Sequence, residues 1–209
     1  MTTVAPATGY TVVLPPGWVR VPLRRGTEAA LEEKVFKGME VVPEGVPRDR
    51  AVVFRMEVRR RVARLVADAR KAGGLDLYVP VGARRGALLA ASFLVSEIIP
   101  GEGEGVPREL AVGRLVKTKR GGEGGELRGI GESAVAVRWE YVESAKGDGV
   151  VDSSARHVDY VLPVPGEEGR WLAVNFSTAG NGDPGSEYAR AHAELFDALM
   201  TTFRWEFAR

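Results

Sequence analysis

The stretch from Arg170 to Trp205 constrains the fold more than any other, because its hydrophobic period changes once and abruptly. In R-W-L-A-V-N-F-S-T, Leu172, Val174 and Phe176 alternate with Trp171, Ala173, Asn175 and Ser177, the two-residue period of a strand. Beyond a Gly-rich turn, Tyr188, His192, Leu195, Phe196, Leu199 and Phe203 recur every three or four residues. Glu187, Arg190, Glu194 and Asp197 fall on the other side. Asp183 followed by Pro184 reads as the helix start, a capping carboxylate and then a ring whose missing N–H is not needed. Phe203, Trp205 and Phe207 alternate again as a short closing strand. A strand that leads at once into a one-faced helix must bury that helix against a sheet.

The rest of the chain supplies the sheet. Tyr10–Leu14 and Trp18–Leu23 read as strands on either side of Pro15-Pro16-Gly17, which predicts an N-terminal hairpin over 10–23. A helical segment follows over 27–72. Thr27–Met39 opens it with Thr27 as a cap, and a proline-rich break follows. A longer helix from Arg48 to Ala72, with Phe54, Val58, Val62, Leu65, Val66 and Ala69 inward, ends at Gly73-Gly74. Leu75–Val81 and Gly86–Ile99 read as strands and Pro107–Lys117 as a short helix, with R-G-G-E-G-G-E as a loop after it. Val135, Val137, Trp139 and Tyr141 oppose Arg138 and Glu140. Next, Arg156, Val158, Tyr160, Leu162 and Val164 oppose His157 and Asp159, with Lys146–Gly149 as the turn between. Turns this short join antiparallel neighbours, not parallel ones. The pattern predicts an α+β fold, an antiparallel sheet over 75–178 flanked by helices, with a C-terminal helix over 184–202, all in one domain of 209 residues.

Composition excludes more than it identifies. There is no cysteine, so disulfides, thiol nucleophiles and thiolate metal sites are ruled out. The formal net charge is +1, too small for a general attraction to nucleic acid or an anionic membrane. The longest apolar run, near Gly86–Ile99, is broken by Ser92, Ser96 and Glu97 and is too short to span a bilayer. The opening M-T-T-V-A-P-A-T-G-Y has neither a basic region nor an apolar core, so the expectation is a cytoplasmic protein. Only six of the 29 basic residues are lysine, a bias typical of GC-rich bacterial genomes.

No catalytic motif stands out. G-E-G-E-G (101–105) lies between a strand and a helix. It lacks the dinucleotide fingerprint, and it places Glu102 and Glu104 where a phosphate would sit. His157 and Asp159 share a strand face and could serve a small hydrolase with Ser153, Ser154 or Ser177. No nucleophile elbow supports them, and an exposed polar sheet face accounts for the same residues. His192 reads as a core or edge histidine, and two histidines without cysteine leave no metal motif. No catalytic residue, metal or cofactor is assigned.

The concentration of charge is the long helix, with nine basic and three acidic residues between Arg48 and Lys71. Arg59, Arg60, Arg64, Arg70 and Lys71 lie away from its apolar stripe and make a candidate docking face for an acidic protein partner. Glu57–Arg61 and Arg64–Asp68, four residues apart, would partly neutralise it. No aromatic residues interleave with these arginines to stack on bases, so nucleic acid is not the expected partner.

Y-T-V-V-L-P-P-G-W near the start, with W-L-A-V-N-F-S-T and L-F-D-A-L-M-T-T-F-R-W at the end, resembles the PsbP/Mog-like proteins. The resemblance implies an α/β/α sandwich. It also implies a non-enzymatic role, since members bind a GTPase, a photosystem or secreted effectors as chaperones. The expected function is therefore a non-catalytic binding protein, an adaptor or secretion-associated chaperone. The alternatives are a small hydrolase using His157 and Asp159, or a small-molecule carrier with its ligand between sheet and helices.

Overall fold

The computed structural model describes residues 5–37, 48–81, 91–98, 108–131, 134–143 and 154–208. The proline-rich break after Lys37, the Gly101–Gly105 loop, the Lys146–Gly149 turn and Ser153 lie outside them. The fold is mixed α+β. Strands β2 (Trp18–Pro22), β3 (Gly74–Pro80), β4 (Ala91–Ile98), β7 (Glu126–Ile130), β8 (Ala134–Glu143), β9 (Ala155–Pro163) and β10 (Trp171–Thr178) form one antiparallel sheet. Their order is β2-β3-β4-β10-β9-β8-β7, so the β8–β9–β10 meander lies as the alternation predicts.

Register aligns residues across the whole sheet. Trp139, Asp159, Asn175, Leu94, Leu77 and Val21 make one continuous row over six strands. That row and the residues two positions from it on each strand face two helices. On β2 and β3, Val21, Leu77 and Val79 pack under Val58, Val62, Val66 and Ala69 of α2 (Arg48–Lys71). On β8–β10, Val137, Trp139, Val161, Trp171 and Ala173 pack under Val112, Leu115 and Val116 of α3 (Arg108–Lys117). The opposite face carries Phe93, Val95, Val158, Tyr160, Leu162, Val174 and Phe176 and is covered by α4 (Glu187–Met200). Residues of one strand thus enter two cores, which explains why β9 from Val158 onward and most of β10 are buried at successive positions.

On α4 the buried residues are Ala189, Ala193, Phe196, Leu199 and Met200: Phe196 and Leu199 of the expected stripe face inward, while its Tyr188 and Leu195 do not and two alanines take their place. Leu195 is 41% exposed and Tyr188 is exposed as well. The two small alanines let the helix approach the sheet. Phe196 then enters an aromatic cluster, with ring centroids 4.8 Å from Phe176, 5.4 Å from Phe93 and 5.8 Å from Tyr160. Asp197, expected to face solvent, instead accepts two bonds from the buried Arg138 (2.9 and 2.8 Å) and one from Tyr160 (2.8 Å). The helix cap is Ser186, whose hydroxyl accepts the Ala189 N–H at 3.2 Å, and not Asp183. Asp183 closes the preceding turn by accepting from the Gly185 N–H at 2.8 Å.

The N-terminal hairpin over 10–23 does not form. β1 (Ala7–Thr11) pairs with β11 (Arg204–Phe207), while β2 pairs with β3. The closing strand foreseen in Phe203, Trp205 and Phe207 is what takes β1 away: Tyr10 stacks on Phe203 with centroids 5.6 Å apart and lies opposite Trp205. This two-stranded ribbon is tied to the β9–β10 turn, where the Ala7 N–H donates to the Pro165 carbonyl at 3.0 Å. Gly166 there has φ 73°, and a Cβ on it would stand 2.5 Å from Pro6, so the turn and the ribbon meet only through glycine. The first helix is also shorter in α form than expected. α1 (Thr27–Ala30) runs into a π-turn at Leu31–Phe36, and Thr27 is buried without capping it. R-G-G-E-G-G-E is a small hairpin rather than a loop: β5 (Lys119–Arg120) turns at Gly121-Gly122 into β6 (Glu123–Gly124).

Candidate ligand-binding site

Where the β1/β11 ribbon lies across the ends of β2, β3, β4 and β10, it borders a half-open cavity of about 410 Å³. Tyr10, Leu75, Leu172 and Trp205 give it apolar walls. Its polar groups come from strand positions that alternation turns towards the ribbon, and two of them are carboxylates inside otherwise apolar strands. Asp76 sits in G-L-D-L-Y-V-P beside a register shift in the β3–β4 pairing, and its side chain is 3% exposed. Glu97, near the end of A-S-F-L-V-S-E-I, is 8% exposed.

Buried charge is tolerated only when it is paired and hydrogen-bonded. Both carboxylates are. Asp76 Oδ1 accepts Arg20 Nε at 2.7 Å, and Oδ2 accepts Arg20 Nη2 at 2.8 Å together with the Tyr10 hydroxyl. The Tyr78 hydroxyl donates to that of Tyr10 at 3.5 Å. Glu97 Oε2 accepts Arg24 Nη2 at 2.6 Å and Oε1 accepts Arg170 Nε, while Arg170 Nη1 donates to both oxygens of Glu167 at 2.7 Å.

These contacts and the burial around them shift the titration of Tyr10, Tyr78, Glu97 and Arg20. Burial pushes the Tyr10 hydroxyl far above the ordinary tyrosine value, and the neighbouring Tyr78 and Asp76 push it further. Burial also raises Tyr78. Burial alone would raise Glu97, but the bonds from Arg24 and Arg170 outweigh it and hold the carboxyl below its usual range. The Asp76 hydrogen bond keeps Arg20 more firmly protonated than a free arginine. The cavity therefore offers arginine-paired carboxylates beside an aromatic wall.

The residues singled out from sequence lie elsewhere. Asp159 is fully buried on the face covered by α3 and is not part of an exposed polar face. Arg120 of β5 reaches down to pair with Asp159, which also accepts from Tyr141 (3.3 Å) and Asn175 (2.8 Å). His157 stacks on Tyr141, centroids 5.0 Å apart, and its Nε2 lies 3.7 Å from Glu143. The Asp159 oxygens are thus engaged by groups other than His157. Register does bring Ser177 directly opposite His157. His192 sets Nδ1 3.0 Å from the Tyr188 carbonyl on the outer part of α4. Among the described residues no group of three or more histidines and carboxylates could hold a metal ion, and no helix is long and apolar enough to cross a membrane.

The α2 cations divide into two sets. Arg59 pairs with Glu32 and lies 4.2 Å over the Phe36 ring. Arg70 donates to the Leu23 carbonyl (2.9 Å) and the Thr27 hydroxyl (2.7 Å). Both tie α2 to the segment before it. Arg60 and Arg61 share Glu57 at 2.9 and 2.8 Å, and Lys71 sits 3.7 Å from Asp68, where Arg64 was the expected partner. Arg64 is exposed.

Sequence reasoning missed Tyr10, Arg20, Arg24, Asp76, Glu97 and Arg170. One signal was present: a single carboxylate interrupts each of two strands that are otherwise apolar, and such a residue must find a cation. No protein-family model, curated protein or solved structure matches the chain.

Proposed function

We propose that this chain is a non-catalytic binding protein that carries a small molecule in the cavity beneath the β1/β11 ribbon. The observation behind this reading is a cavity of about 410 Å³ with two buried, arginine-clamped carboxylates and an aromatic wall. Ligand sites of small molecules have this size range and this combination of apolar lining with a few convergent polar groups. Building such a site requires burying charge, which lowers stability relative to an apolar core unless the charges do something. The resemblance to PsbP/Mog-like proteins, with helices on both sides of an antiparallel sheet, implies a non-enzymatic role. A protein partner docking on α2 draws less support, since Arg59 and Arg70 already bind α2 to its own fold.

Native mass spectrometry of gently purified protein tests the proposal. The wild type should carry a small molecule that denaturation releases. Leu75→Trp, which fills the cavity from a half-buried wall position, should lose it. A wild type with no retained molecule, and with no stabilisation by any metabolite fraction, would remove the reading.

A further inference from the structure

We infer that the occupant of this cavity presents an oxyanion, a carboxylate or a phosphate, to Arg20, Arg24 and Arg170. The inference rests on the cavity being a ligand site. It comes from counting donors against acceptors. All four carboxylate oxygens of Asp76 and Glu97 already accept at least one hydrogen bond from an arginine. Their remaining lone pairs are shielded, because the Asp76 and Glu97 side chains are only 3% and 8% exposed, so a cationic ligand would have to move an arginine aside to reach them.

The arginines are in the opposite condition. Each guanidinium carries five N–H donors and no acceptor. Among the described contacts, Arg20 uses Nε and Nη2, Arg24 uses Nη2, and Arg170 uses Nε and Nη1. Nη1 of Arg20, Nε and Nη1 of Arg24, and Nη2 of Arg170 remain for an acceptor from outside. The side chains are still 53%, 64% and 37% exposed. A site with surplus donors on three cations, and buried, arginine-paired acceptors beneath them, fits a group that only accepts. Planar guanidinium forks match carboxylate and phosphate oxygens in pairs. Because buried carboxylates already hold the three arginines, a ligand freezes less side-chain motion than it would with free ones. Trp205, Leu75 and Leu172 line the same space and call for an apolar or aromatic body behind the anionic head.

Three carboxylates line the cavity beside the three guanidinium groups; Asp76 and Glu97 are paired with arginine, and the third works against an anion. Glu206 of β11 also borders the cavity, and its exposed carboxylate should repel the ligand's charge. This gives the inference two substitutions of opposite sign. Arg24→Gln should weaken an anion, and Glu206→Gln should strengthen it.

Isothermal titration of the full chain with phenyl phosphate, benzoate and benzylamine, each close in size and differing in charge, tests the inference. Phenyl phosphate or benzoate should bind, their order identifying a phosphate or carboxylate head, and benzylamine should not. Arg24→Gln should weaken the bound anion about tenfold, the scale of one lost charge-assisted bond. Glu206→Gln should tighten it about threefold, the scale of a screened like-charge repulsion. Arg24 is mostly exposed and makes one described contact, so an unchanged melting temperature confirms that the variant is folded. Binding of benzylamine in preference to both anions, or anion binding indifferent to Arg24→Gln, overturns the inference while leaving the cavity as a ligand site. If no probe binds and native protein also carries no small molecule, the carrier reading itself fails.

Discussion

The Asp76 cluster makes an asymmetric prediction: removing the half-exposed member should destabilise the protein more than neutralising the buried one. Asp76 is 3% exposed and Arg20 is 53% exposed. In Asp76→Asn the amide oxygen still accepts the Tyr10 hydroxyl, and Arg20 turns to water at little cost. The loss should be about 1 kcal/mol, the value of a hydrogen bond that loses charge assistance. In Arg20→Gln the carboxylate stays buried and loses its counter-charge. Breaking a fully buried pair in this way costs about 3–5 kcal/mol. Water reaches this pair through the cavity, so the expected loss is reduced to about 2–3 kcal/mol. The double variant should be no less stable than Arg20→Gln alone, because neutralising the stranded carboxylate removes the cause of the loss. Urea unfolding at pH 7 of the four proteins of this cycle measures all of these terms. An Arg20→Gln protein at least as stable as Asp76→Asn, or losses that simply add in the double variant, would refute the buried-pair account.

Three further outcomes follow from the packing and the contacts. Phe196→Ala should cost about 3–5 kcal/mol, while Leu195→Ala, on the exposed side of α4, should cost less than about 1 kcal/mol; similar costs would place α4 in the wrong rotation. Burial pushes Tyr10, Tyr78 and Tyr160 up and brings Tyr141 to about 12. The fold therefore prefers these phenols protonated. Their contribution is complete below the ordinary value of 10.0 and is lost as pH rises above it, so the urea midpoint should fall steeply above pH 10. A level profile from pH 9 to 11.5 would contradict those burials. Arg70→Ala should cost about 1–2 kcal/mol by stripping the donor from the Leu23 carbonyl and the buried Thr27 hydroxyl, whereas Arg64→Ala should stay within about 0.5 kcal/mol, and equal chemical stabilities of the two would show Arg70 to be merely solvated.

Much of the architecture was legible because period reports burial directly. The alternation in Trp171–Thr178 placed Leu172, Val174 and Phe176 on the α4 side, and Gly73 marked the end of α2 correctly. What failed depended on choices between equivalent partners. Pro15-Pro16-Gly17 is as compatible with two strands that part as with a hairpin, and only the distant Phe203–Phe207 segment decides which. The face of α4 was read correctly at Phe196 and Leu199 and misread at Tyr188 and Leu195, because alanine weighs little in a hydrophobic stripe, yet close helix–sheet contact uses Ala189 and Ala193. The candidate site was hidden for a related reason. Its charges lie far apart in sequence and converge only through the β1/β11 ribbon and the β3–β4–β10 register. Of the charges that do cluster in sequence, those of α2, Arg59 and Arg70 hold that helix to its neighbours, while Arg60, Arg61 and Lys71 pair within it.

A crystal structure of the protein grown with phenyl phosphate tests the central claim most directly. The account predicts density for the phosphate among the guanidinium groups of Arg20, Arg24 and Arg170, with the ring against Trp205 and Leu172, and with the Arg20–Asp76 and Arg170–Glu97 bonds intact. An empty cavity at saturating probe, or a probe bound instead beside His157 and Ser177 on the opposite face of the sheet, would contradict it.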